Sequence, residues 1–288
     1  MMAARSASPV PQVVTDAEFI KFREFFYRRT GIRFEDSKRY FVDKRLLDRI
    51  AATDSGSFNS WFSVLRSEPS GAEMQALINA MTVNETYFLR EDYQFTALVA
   101  SILPELVAAK RDARPIRIWC MPSSSGEEAY SVAMVLLERW PGLAEWDVEI
   151  ISSDIDTDIL TRARAGRYHD RSVQHLPKSW LHKYFDKVEG GWQISDTLRA
   201  AVEFTRCNLC HPQDTASYRD FDVVFCRNLL IYFDDASRRL AAAAIHEALR
   251  PGGFVMLGHS ESMSRISSRF RIRRFPDALA YQKPEEGA

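Results

Sequence analysis

The chain has 288 residues, 46% apolar and 27% charged, with 38 Lys and Arg against 39 Asp and Glu. This near-neutral balance removes any general electrostatic case for nucleic acid, and no apolar run approaches the ~18 residues of a membrane-spanning helix. MMAARSASPVPQVV lacks the hydrophobic stretch of a signal peptide, and the four cysteines (Cys120, Cys207, Cys210, Cys226) are too few for a disulfide framework, so a reducing, cytoplasmic location is expected.

Residues 1–14 read as a flexible tail, and residues 15–82 as a small helical domain. DAEFIKFREFFYRRTG has a candidate N-cap at Thr15 or Asp16, a stop at Gly31, and Phe19, Phe22, Phe25 and Phe26 at helical spacing. SKRYFVDKRLLDRIAAT and FNSWFSVLR repeat the pattern. From Lys21 to Arg49 there are ten Lys/Arg against five Asp/Glu. Either this is a solvated basic face, or it docks an acidic partner, with Arg28, Arg39, Lys44 and Arg45 as candidate contacts.

A linker over residues 83–98, containing NETYFLRE, leads into an α/β domain over 99–288. There IRIWC, WDVEIISSD, FDVVFC, GGFVMLG and ALAYQK read as strands. Helices are expected from about Gly126 to Arg139, over Thr157 to Ala165 and from about Asp235 to Leu249. Such alternation implies a parallel sheet with right-handed crossovers. Between about 172 and 204 it breaks into a helix and a hairpin around Gly190-Gly191, which predicts a small inserted β-subdomain.

IRIWCMPSSSGEEAY has the layout of a nucleotide loop: strand, small polar residues, glycine, helix. Yet Glu127 and Glu128 open the helix, where they would repel a phosphate. G-x-G-x-x-G and the phosphate-binding G-x-x-x-x-G-K-[ST] are both missing, which counts against NAD and ATP. A carboxylate closing the second strand, Asp154, suits ribose hydroxyls. A ligand with a ribose, no phosphate and positive charge fits best, and S-adenosylmethionine has all three properties. Either glutamate could pair with its cationic methionine part; the alternative is that both only stabilise the helix N-terminus.

NETYFLRE, SSSGEEAYSVAM, SSDIDTDIL, FDVVFCRNLLIYFD and GGFVMLGHSES, in this order over about 180 residues, together resemble the chemotaxis receptor methyltransferases, the CheR family. The resemblance implies a Rossmann-like methyltransferase sheet with an inserted β-subdomain and an N-terminal all-helical domain. It implies S-adenosylmethionine-dependent O-methylation of glutamate side chains on the cytoplasmic helices of chemoreceptors, S-adenosylhomocysteine as product, and no metal. Carried over, it places Asn84, Thr86 and Arg90 over the cofactor. Glu127, ahead of Glu128, then meets the methionine part and Asp154 the ribose. Asn208 and Leu209 lie by the adenine, and Asn228 and Leu229 line the site. Arg90 and Tyr232 are the candidates for steering the substrate carboxylate. The partner is a receptor; nucleic acid, membrane insertion and stable oligomers are not expected, leaving a monomer.

Three departures stand out. Cys120-Met121-Pro122 precedes the loop where many relatives have alanine-rich residues. The VEGG turn is short, which suggests an enzyme that needs no receptor-tail peptide. No repeat domain follows the last strand. Cys207-Asn208-Leu209-Cys210-His211 spells a haem-attachment pattern, but it falls where the family has its adenine contacts. Cys120 and Cys226 end predicted strands and read as packing residues, and His259 as a structural hydrogen-bonder. The rival functions are a nucleic-acid methyltransferase, which lacks the [DN]-P-P-[YFW] signature, and a non-catalytic S-adenosylmethionine-binding adaptor, against which the intact motifs argue.

Overall fold

In the computed structural model, which describes residues 13–110, 114–276 and 278–285, the chain falls into two compact units divided between Val83 and Asn84. The expected tail lies largely outside the described residues, but its last residue, Val14, is buried and its carbonyl accepts from Arg39, so the ordered unit starts earlier than expected. The first unit holds α1 (Asp16–Thr30), α2 (Arg39–Ala52), α3 (Phe58–Ser67) and α4 (Ala72–Met81). Thr15, not Asp16, is the N-cap of α1, in a reciprocal capping box with Glu18, and Gly31 closes the helix in the left-handed region at φ 77°. Phe22, Phe26, Trp61 and Leu46 have almost no exposure. In that core Trp61 Nε1 donates to Glu73 Oε1 (2.7 Å), and Arg49 pairs with the same carboxylate, tying α2, α3 and α4 together.

Two of the four predicted docking residues belong to this scaffold. Arg39 donates to Asp16, Asp43 and the Val14 carbonyl. Arg45 lies over the Phe41 ring and donates to the carbonyls of Ala80 and Phe41. Their guanidiniums help to hold the fold, so Arg39 and Arg45, both half-buried, have a structural role in addition to any surface contact. Arg28 and Lys44 are exposed.

The second unit opens with α5 (Asp92–Ala97), which runs through a π-turn (Leu98–Ile102) into α6 (Leu103–Ala109). The strands and helices that follow are β1 (Ile116–Cys120), α7 (Glu127–Arg139), β2 (Val148–Asp154) and α8 (Thr157–Ala165). Next come β3 (Arg167–Tyr168), α9 (Asp170–Val173), α10 (Lys178–Tyr184), β4 (Phe185–Val188), β5 (Gly191–Ile194) and α11 (Asp196–Ala200). The unit is completed by β6 (Val202–Arg206), α12 (Pro212–Thr215), β7 (Phe221–Cys226), α13 (Asp235–Ala248), β8 (Leu249–Leu257), β9 (Arg271–Arg274) and β10 (Leu279–Gln282).

The main sheet has the order β6-β2-β1-β7-β8-β10-β9. Its first five strands are parallel, and every residue of the central β7 is buried, as a strand covered on both faces requires. β10 runs antiparallel to both β8 and β9, so the sheet is mixed, not all parallel as the alternation implied. β9, RIRR, has no apolar pattern; pairing with β10 makes it a strand.

A separate sheet, β3-β5-β4, is the inserted subdomain. Its bounds differ from the expected 172–204: it begins at Arg167, and Val202–Arg206 pairs with β2 as the edge of the main sheet. Gly191 makes it possible, because a Cβ there would lie 2.1 Å from the Tyr168 carbonyl.

Chain order fixes where a site can form. From β1 the sheet grows one way through β2 and β6, and the other way through β7 and β8. The loops leaving β1 and β7 therefore diverge at the carboxyl ends of adjacent strands, a topological switch point.

Candidate active site

The loop after β1 is held by its neighbours. Met121 N–H donates to the Phe225 carbonyl (2.8 Å) and Ser123 N–H to the Ser153 carbonyl (2.7 Å). Gly126 caps α7 at φ 93°, and a Cβ there would come within 3.1 Å of Phe204 and Tyr130. Asp154, at the end of β2, accepts from Ser124 N–H (2.8 Å) and Asp156 N–H (3.0 Å), one on each oxygen. The Ile155 N–H also bears on this carboxylate, which leaves acceptor capacity for a ribose hydroxyl. Burial pushes the Asp154 carboxyl up to about 6, against the pull of those N–H groups.

The two glutamates at the start of α7 have different surroundings. Glu127 accepts from Ser125 Oγ (2.7 Å) and from Ser172 Oγ of the inserted subdomain (2.6 Å), and burial raises its carboxyl. Its side-chain hydrogen bonds come from neutral hydroxyls, and Arg162 bears on it only at longer range, so no arginine occupies it as Arg227 occupies Glu128. Glu128 is instead held by Arg227 at 2.8 Å. Arg227, whose side chain is 2% exposed, also pairs with Glu91 at 3.1 Å and donates to the Arg90 carbonyl at 2.6 Å. Glu128 is thus a clamp on the β7 loop, which separates it from Glu127 in role.

The NETYFLRE segment is pinned residue by residue. Asn84 Nδ2 donates to Asp156 Oδ2 (2.9 Å), while Asp156 Oδ1 caps α8. Phe88 N–H donates to the Ser172 carbonyl (3.0 Å) and Leu89 N–H to Ser131 Oγ (3.0 Å). Leu89 and Glu91, on either side of Arg90, both have left-handed backbones, at φ 57° and 58°. Ser124 (φ 49°) and Asn228 (φ 57°) share this conformation. Four of the six non-glycine residues with positive φ among the described residues therefore gather on these three segments, where such strain is commonly kept for function.

Beyond β7, Glu261 receives the N–H groups of Asn228 (2.7 Å), Leu230 (2.7 Å) and Gly258 (2.9 Å). It shapes the turn that carries Asn228, Leu229 and Tyr232. Burial raises the Tyr232 phenol and the nearby Arg90 charge opposes the shift, which puts these two side chains in one field. Asn208 and Leu209 are buried at the end of β6, where Cys207 N–H donates to the Asp154 carbonyl (2.9 Å). Thr86 is half-buried.

Glu91, Asp156, Ser172, Arg227 and Glu261 organise the site, yet sequence reasoning did not single them out. All but Ser172 stand inside the quoted motifs, which was their only signal. His259 does make the expected hydrogen bond, to Glu91 at 2.9 Å. Cys120 and Cys226 are buried with thiols well raised, and burial brings Cys207 and Cys210 to about 12, so none is a thiolate at neutral pH.

Buried polar atoms without a partner among the described residues include the hydroxyls of Ser123, Ser124 and Ser152 and one oxygen of Glu128. Ser123 and Ser124 stand on the loop after β1, where orphaned hydroxyls are what a polar ligand would satisfy. A cationic nucleoside fits that set of hydroxyls and carboxylates, in which Arg227 is already taken up by Glu91 and Glu128.

A switch-point site of this chemistry on a mixed seven-stranded sheet defines an S-adenosylmethionine-dependent methyltransferase. Residues 84–278 match the family described as "CheR methyltransferase, SAM binding domain", and residues 17–82 match "CheR methyltransferase, all-alpha domain". The chain belongs to the CheR family of chemotaxis protein methyltransferases. It is 53% identical to chemotaxis protein methyltransferase 2 of Vibrio cholerae over 96% of each chain. It is 34% identical to the chemotaxis protein methyltransferase of Escherichia coli K12, covering 90% of this chain and 89% of that one. Chemotaxis protein methyltransferase Cher2 of Pseudomonas putida is 31% identical, over 92% and 97%.

Proposed function

We propose that the protein transfers the methyl group of S-adenosylmethionine to glutamate side chains on the cytoplasmic helices of chemoreceptors, leaving glutamate methyl esters and S-adenosylhomocysteine. The observation that supports this reading is the pair of buried carboxylates at the switch point, Glu127 bonded by the Ser125 and Ser172 hydroxyls and Asp154 by the Ser124 and Asp156 N–H groups, a donor set suited to a cationic nucleoside.

S-adenosylmethionine supplies a methyl carbon already activated on a sulfonium. A substrate carboxylate is ionised near pH 7 and attacks that carbon: one C–O bond forms, one C–S bond breaks, and the electron pair leaves on a neutral sulfide. No proton moves, so no general base is needed. Glu127 holds the ammonium end, Asp154 the ribose hydroxyls, and Asn84 and Thr86 close over them. Asn208 and Leu209 flank the adenine, and Asn228 and Leu229 form the wall beside the methionine part. Arg90 grips one carboxylate oxygen and leaves the other free to attack, with Tyr232 as its second support. No metal has a role in this scheme.

Among the described residues no helix is long and apolar enough to cross a membrane. In this reading the enzyme meets its receptor from the cytoplasm as a monomer. The short Glu189-Gly190 turn of the inserted subdomain supports activity without a tethering peptide. On the first unit, Arg28 and Lys44 remain as receptor contacts.

The test is incubation with methyl-labelled S-adenosylmethionine and receptor-rich membranes, followed by mild alkali. Label on the receptor released as methanol is expected from the wild type. Arg90→Ala should keep cofactor binding and lose transfer by at least tenfold, the order that one charged positioning group contributes. Alkali-stable label, or label on nucleic acid, would overturn the assignment.

A further inference from the structure

Next to Tyr232 lies a cleft that the transfer scheme leaves unused. It has a volume of about 400 Å³ and runs between the 3-10 turn at Leu230–Tyr232, the first turns of α13 and the segment 260–266. Three arginines, Arg238, Arg239 and Arg265, face two carboxylates, Asp235 and Glu261, along it. Both carboxylates are already engaged. Glu261 is taken by the three N–H groups named above, and Asp235 pairs with Arg238 at 3.3 Å. Arg238 also donates from Nε to the Leu230 carbonyl at 3.0 Å, so it belongs to the wall. Arg239 and Arg265, on two different elements, are exposed and have no ion-pair partner among the described residues. Ile231, 48% exposed, and the half-buried Ile266 add apolar surface between them.

Two uncompensated guanidiniums with an apolar floor suit a segment that is acidic and amphipathic. Because Ile231, the residue before Tyr232, lines the cleft, anything seated in it is continuous with the chain presented to Arg90 and Tyr232. An α-helix places side chains three, four and seven residues apart on one face, with about 5.4 Å per turn. A helix offering one glutamate to the site would therefore offer its neighbours on that face to the cleft.

Resting on the receptor reading above, we propose that Arg239 and Arg265 bind acidic side chains flanking the target glutamate on the same receptor helix. The cleft thereby makes the enzyme sensitive to the charge state of neighbouring sites. Esterification or amidation of a neighbour removes the charge that Arg239 and Arg265 bind, so each completed transfer weakens the hold on that stretch of helix. Sites would then be modified with falling efficiency as their neighbours fill.

The experiment compares the full-length wild type with Arg239→Glu/Arg265→Glu on two receptor cytoplasmic fragments. One has its native acidic neighbours; in the other, those neighbours are Gln. On the native fragment at low salt, the variant is expected to lose roughly tenfold in kcat/KM, mostly through KM, as removal of complementary charge does. Its S-adenosylmethionine Kd should stay within about twofold, since the cleft lies outside the cofactor contacts. On the Gln fragment the two enzymes should be equal, and both slower than wild type on the native one. Equal rates on the native fragment, or an equal loss on both fragments, would overturn the proposal while leaving receptor methylation standing. A wild type that binds cofactor yet methylates neither fragment would overturn the receptor reading and this one with it.

Discussion

Arg227 shows how much one residue can decide. It is buried between Glu128 and Glu91, and its second nitrogen holds the Arg90 carbonyl, so the β7 loop and the NETYFLRE segment share one cation. Arg227→Ala would leave two carboxylates facing each other with little access to water. It should destabilise the protein by about 3–5 kcal/mol, read from urea unfolding, because breaking a buried pair strands its partners. A loss under about 1 kcal/mol would mean that the two acids take up protons or reach solvent. Asp154 sets a pH dependence at the same scale. Its carboxyl sits at about 6, and hydroxyl donors bind the ionised form better. Cofactor binding should therefore be at full strength above pH 7 and fall as pH drops through 6, approaching tenfold per pH unit below it. Calorimetry from pH 5 to 7.5 would show this, together with proton release on binding near pH 6; a flat profile would remove Asp154 from the site.

At the scale of elements, the inserted subdomain is bonded to the loop and helix that carry the proposed cofactor contacts. Ser172 on α9 donates to Glu127 and accepts from Phe88, and the Tyr168 hydroxyl at the end of β3 donates to the Ser125 carbonyl at 2.9 Å. Because β3 closes on β5 only where Gly191 leaves room, Gly191→Ala should part them. The expected result is a stability loss of about 2 kcal/mol or more and a weaker cofactor Kd, measured by thermal unfolding and calorimetry. Unchanged cofactor affinity would show that this sheet only decorates the fold. The hairpin was legible from Gly190-Gly191, but its third strand was not. Two residues, Arg167 and Tyr168, have no period to detect, and β6 was misassigned to the insert because a short edge strand reads alike in either sheet.

At the scale of the whole molecule, the two units have separate cores, and every proposed cofactor contact lies at or after Asn84. A fragment of residues 84–288 should therefore bind S-adenosylmethionine within a few-fold of the full chain, by calorimetry, while losing receptor methylation. A large loss of affinity would show that the helical unit is needed to form the site. The buried cluster at the other end of the strands bears on the same independence. Asp222 accepts from Arg117 N–H (2.9 Å) and pairs with Arg250 (2.9 Å) and Lys110 (3.3 Å), joining β1, β7, β8 and the end of α6 inside the second unit alone.

Helix caps, hydrophobic periods, the strand–loop–helix order and the five motifs are local, so the sequence by itself determined the two-domain plan, the switch-point site and the family. Spacing along the chain carries no information about side chains that meet from far apart. Arg227 finds Arg90 across 137 residues and His259 finds Glu91 across 168, and only the folded sheet brings them together. Tertiary structure thus decided which of two adjacent glutamates is taken by an arginine, which arginines on the helical unit carry structural bonds, and where two arginines stand, among the described residues, without an ion-pair partner beside the site. Each depends on the partner that packing supplies, and in a buried environment that partner sets what a charge can do.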